Sequence, residues 1–132
     1  MSFEIFVTAF RGKEALPLPK EDLRQRFSAH IAREDNSGWW HLAFDDGPCS
    51  TEIAPGANGF TAFRPPDYLA FWQIIAGVLR DLPGVLYWPG GGAIVGSLDM
   101  VQHMPADMVE VLGVPWVSTD PERIRQLVWD NS

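Results

Sequence analysis

The residues of this 132-residue chain that could do chemistry are three histidines, one cysteine and a run of glycines. The segment Trp88-Pro89-Gly90-Gly91-Gly92 invites a phosphate-binding reading, because consecutive glycines let backbone N–H groups approach an anion. Its neighbours do not support that reading. Gly91 and Gly96 have the outer spacing of a phosphate loop, but Ser97 and Leu98 stand where Lys and Ser or Thr are required, and Val95 replaces the third glycine of a dinucleotide fingerprint. The run therefore reads as a tight surface loop.

Asp99 and His103 lie four apart on an expected helix, a spacing that could orient a general base. An acid near a helix start and an imidazole near its end also suit the helix dipole, and with no nucleophile beside them the pair reads as structural. His30, His41 and His103 share no metal-ligand spacing and Cys49 has no cysteine partner, so neither a metal site nor a cofactor is expected. A small-molecule pocket built from Tyr87, Trp88, Gly90, Gly91, Gly92 and Trp116, with His103 at its mouth, is the alternative that this part of the chain offers.

The most legible segment runs from Trp39 to Ala54. Asp46-Gly47 between two strand-like runs signals a two-residue hairpin turn. That turn sets Phe44 opposite Cys49, Leu42 opposite Thr51 and Trp40 opposite Ile53 on an apolar inner face. Trp39, His41, Ser50 and Glu52 then share the outer face. Pro48 has no N–H for the ladder, so this end of the hairpin must sit at an edge or beside a bulge. On the outer face Trp39 stands among Glu34, Asp35, Asp45, Asp46 and Glu52, with His41 across from Glu52 and no Lys or Arg between positions 34 and 63. An aromatic anchor among like charges is the composition of a docking surface for a basic partner.

The elements that must hold these residues follow from periodicity. Ser2 to Phe10 alternates as a strand that is apolar on both faces, hence central. Leu23, Phe27 and Ile31 recur every four residues in a helix opening at Pro19. A strand over 60–64, a buried helix from Pro66 to about Leu82 and a short strand over 85–88 come next. Helical pieces near 98–103 and 105–112, a strand within 114–118 and a closing helix capped by Thr119 and Glu122 complete the chain. This order predicts one α+β domain spanning 1–132, a mostly antiparallel sheet with helices packed on at least one face.

Charge narrows the function. Residues 1–33 carry a net +2 and residues 34–132 a net −9, giving the overall −7. Phosphate backbones and anionic lipid surfaces repel such a molecule, so nucleic acid and membrane are not expected partners. A single cysteine and an N-terminus without a signal-peptide pattern point to the cytoplasm.

In size, acidity, the lack of a signal-peptide pattern and the lack of catalytic residues, the chain resembles the small acidic immunity proteins that bacteria encode beside contact-delivered toxins. That resemblance implies a non-enzymatic α+β domain that occludes a cognate, basic, cytoplasm-acting protein toxin. It assigns no residue roles.

Overall fold

The computed structural model describes residues 3–132; Ser2, the expected start of the first strand, lies outside the described residues. The elements run β1 (Glu4–Arg11), β2 (Glu14–Ala15), α1 (Lys20–Phe27), β3 (Ile31–Glu34), β4 (Trp40–Leu42), β5 (Glu52–Pro55), β6 (Gly59–Phe63) and α2 (Leu69–Asp81). After α2 come β7 (Gly84–Tyr87), β8 (Ala93–Val95), α3 (Ala106–Leu112), β9 (Trp116–Val117) and α4 (Pro121–Asp130), with 3₁₀ turns at Ser28–His30 and Leu98–His103. The sheet order is β3-β4-β5-β6-β1-β7-β8-β9, with β2 paired to β1. Only β8 and β9 run parallel, so the architecture is α+β with a mostly antiparallel sheet.

Side-chain alternation gives the sheet two unlike faces. Ile5, Val7, Trp40, Ile53, Phe60, Ala62, Leu86 and Ile94 occupy inward register positions and are all buried. Against them pack Leu23 and Phe27 of α1, Phe71, Trp72, Ile75, Val78 and Leu79 of α2, and Ile124, Leu127 and Val128 of α4. Burying whole aromatic and aliphatic side chains in one layer is the main drive for folding here, at roughly 1.5–3 kcal/mol per large side chain. The outer face is covered at one end only. There Phe10, Val85, Ala93 and Val95 lie under Met100 of the second 3₁₀ turn and Met104 just after it, with Met108, Val109 and Leu112 of α3 packed alongside.

Several local expectations change. Ile31 does not extend the first helix: α1 stops at Phe27, and Ile31 opens β3 opposite Leu42, a position that suits its β-branched side chain. The hairpin register holds in the ladder, where Trp40 faces Ile53, His41 faces Glu52 and the Leu42 N–H donates to the Thr51 carbonyl. It fails at the turn. Phe44 bridges Gly47 rather than Cys49, so the tip is Asp45-Asp46, and the chain from Pro48 to Ser50 leaves the ladder as a proline without an N–H requires. The closing helix is capped by Asp120, not Thr119: the Asp120 carboxylate accepts from the Glu122 N–H at 3.1 Å and Pro121 takes the first helical position.

The glycine run is explained by packing. A Cβ on Gly91 would lie 1.5 Å from Nε1 of Trp88, and one on Gly92 would lie 2.6 Å from the Trp116 ring. Trp88 cannot step aside, because it is fully buried, stacks on Trp116 with ring centroids 6.2 Å apart, and donates from Nε1 to the Asn131 carbonyl at 3.1 Å. Gly91→Ala is therefore expected to destabilise the fold by about 1–3 kcal/mol through overpacking. Urea unfolding followed by tryptophan fluorescence checks this, and an unchanged midpoint would contradict it.

Candidate partner-binding face

Neither core layer takes in the outward side chains of β4, β5 and β6 or the first half of β1, where Trp39, Phe63 and Phe6 lie. These side chains shelter one another instead. The Trp39 ring stacks on Phe63 with centroids 4.9 Å apart and 16° between planes, and Phe6 stacks on Tyr87 at 5.3 Å and 21°. The register explains the juxtaposition. Phe63 pairs with both Glu52 and Glu4, while Phe6 lies between Thr61 and Tyr87. The small residues Ala54 and Thr61 lower the surface beside Phe6 and Tyr87, leaving an open depression of about 280 Å³ that also takes in Thr8 and Asn58. Half-buried aromatic rings around a shallow floor form an apolar patch of the kind that partners occupy.

The charges around Trp39 are less uniform than the sequence implies. Glu34 does not share the face of Trp39: it lies opposite inward-facing Trp40, pairs with Arg24 of α1 and accepts at 3.1 Å from the indole Nε1 of Trp40. Asp35 accepts from the Ser37 and Trp39 backbone N–H groups at 2.9 and 3.1 Å through Oδ1, and from His41 Nε2 at 2.8 Å through Oδ2. Glu52 Oε1 accepts from Arg64 at 2.7 Å and lies 3.9 Å from His41 Nδ1. Thus three of the five expected steering carboxylates are engaged within the chain, by Arg24, His41 and Arg64. Asp45 and Asp46, exposed at the hairpin tip, make no ion pair among the described residues and are open to a partner.

These pairings set the acid limit of the fold. The hydrogen bond from Arg24 holds the Glu34 carboxyl below its ordinary range, and the hydrogen bond from His41 does the same for Asp35, in each case against the opposing effect of burial. A carboxyl depressed in the folded state contributes stability that is complete above its unfolded pKa and is lost as pH falls through the folded one. Unfolding free energy is accordingly expected to fall between about pH 5 and pH 2, and Asp35→Asn to flatten that fall. Urea midpoints measured across this window check the sign. A wild-type midpoint independent of pH would contradict it.

The residues of the alternative pocket do not line one cavity. Trp88 is buried on the inner side against Trp116, beside Gly91 and Gly92, whereas Tyr87 faces outward to Phe6 and to Thr8, whose Oγ1 is 3.2 Å from the Tyr87 hydroxyl. Gly90 lies exposed in the loop with a left-handed φ of 72°. His103 is elsewhere again: its Nδ1 accepts from the Gly12 N–H at 2.9 Å and its Nε2 lies 3.5 Å from Asp99, so both ring nitrogens are engaged. Cys49 packs against the inner core and His41 sits on the outer face, which separates the thiol from that imidazole.

Phe63, Phe6 and Arg64 carry much of the face, and sequence reasoning missed their part in it. The signal was present in the apolar second face of β1, where Phe6 points away from the core. Placing Phe63 required the register of β6, which no turn motif supplies. Compared with protein-family models, curated proteins and solved structures, the chain matches none of them, so its own surface is the basis for a functional reading.

Proposed function

We propose that this chain is a binding protein without catalysis of its own, an immunity protein that occludes a cognate, basic, cytoplasm-acting toxin through the outer face of its sheet. One observation carries the reading: Trp39 stacked on Phe63 on the part of the sheet outside both core layers, with Phe6 stacked on Tyr87 where that part meets the α3-covered end. Leaving such rings partly wet is unfavourable for an isolated domain, and a partner that covers them recovers that burial. The residual charge supports a basic partner. Asp45 and Asp46 stand at the tip of the β4–β5 hairpin, and residues 34–132 as a whole carry a net −9. Such a field accelerates encounter with a cationic surface, while the aromatic cluster determines how long the complex lasts.

The experiment is direct. The protein encoded by the adjacent reading frame is expressed with and without this chain, and both cell survival and complex formation are measured. Protection together with a one-to-one complex is the expected result. A non-toxic, non-binding neighbour would contradict the reading.

A further inference from the structure

Asp35, His41 and Glu52 come from the loop after β3, from β4 and from β5, yet one donor atom of each lies within 4.8 Å of the other two. They form an open triangle about the imidazole, with Glu52 Oε1 on the Nδ1 side at 3.9 Å. Its shortest side, His41 Nε2 to Asp35 Oδ2, is 2.8 Å. An ion bound by nitrogen and oxygen at about 2.0–2.2 Å needs donors roughly 3 Å apart, so the Glu52 side chain must swing from the Nδ1 side toward Nε2 for the set to close.

The surroundings suit ligation. Asp35 Oδ1 is fixed by two backbone N–H groups, which leaves Oδ2 facing inward to the triangle. Arg64 donates to Glu52 Oε1, the kind of outer contact that orients a ligating carboxylate. His41 and Glu52 are directly cross-strand partners, so the ladder itself holds them in place. All three residues are half-buried.

We infer that Asp35, His41 and Glu52 form a binding site for one first-row divalent transition-metal ion, with Zn²⁺ the best fit. One imidazole and two carboxylates match this class, whereas Mg²⁺ and Ca²⁺ prefer oxygen donors alone. Water completes the shell. Binding needs the lone pair of Nε2, so a neutral ring carries its proton on Nδ1, on the side of Glu52, and a doubly protonated ring releases one proton to solvent, which makes affinity fall as pH falls. The inference does not rest on the docking reading, since it concerns the isolated chain and needs no partner.

Equilibrium dialysis of the full chain against ZnCl₂ at about pH 7.5, with metal analysis of the protein compartment, tests it. The wild type should retain one Zn²⁺ per chain and discriminate against Mg²⁺. His41→Ala should weaken retention by about 100-fold or more. Asp35→Asn should weaken it too while keeping the loop, because an amide oxygen accepts the same two N–H groups. A variant with His30, His103 and Cys49 all replaced should bind like the wild type, with circular dichroism confirming that each variant is folded. The site is overturned if the wild type holds no Zn²⁺ at about 1 mM, if His41→Ala and Asp35→Asn bind normally, or if the triple variant loses the ion.

Discussion

Replacing Trp40 by alanine will lower the free energy of unfolding by about 3–5 kcal/mol, whereas the same change at its neighbour Trp39 will lower it by about 1 kcal/mol. The contrast follows from the alternation of a single strand. Trp40 is fully buried, tilts against Phe27 with centroids 6.2 Å apart, lies under the Arg24 guanidinium at 5.7 Å and donates its indole N–H to Glu34. Truncation removes all of these contacts and opens a cavity between α1 and the sheet, in surroundings packed too closely to collapse. Trp39 is half-buried and rests mainly on Phe63, so alanine there leaves the inner layer untouched. Chemical denaturation of the two variants side by side checks the difference. Equal losses would mean that the faces of β4 are assigned wrongly.

The second large effect is on binding. Trp39→Ala should weaken the complex with the basic partner by about 30-fold or more, the loss expected for a central aromatic anchor, with most of it in the dissociation rate. Reversing charge with Asp45→Lys and Asp46→Lys should act differently. These positions lie at the rim and make no ion pair among the described residues, so the change should slow association and reduce its dependence on salt. Stopped-flow or surface-based kinetics at two ionic strengths separates the two signatures. Association that is indifferent to the double reversal would remove the steering role of the hairpin tip.

What the sequence made legible was governed by local rules. Two-residue alternation identified β1 as central, recurrence every four residues identified α1, and apolar stripes at helical spacing identified α2 and α4. The spacing of Trp40 and Ile53 about the turn gave the correct ladder, because the pleat fixes which residues face inward. What failed depended on contacts between segments distant in sequence. The short strand β8 needs β7 and β9 on either side before three residues can count as a strand, and β3 needs β4 to turn Ile31 away from α1. The same limit applies to the candidate site. Trp39 and His41 were placed on the outer face from alternation alone, but Arg24 and Arg64 reach Glu34 and Glu52 from positions 10 and 12 residues away, so the ring of carboxylates was read as more negative than it is. Phe63 joined Trp39 only through the β5–β6 pairing.

Hydrogen exchange measured on the chain alone and in complex with the basic product of the adjacent reading frame tests the central claim most directly. Binding by the outer face predicts new protection in the loops that rim it, residues 35–39, 43–50 and 56–58, with little change in α2 and α4. Protection confined to α2 and α4, or none at saturating partner, would contradict the account.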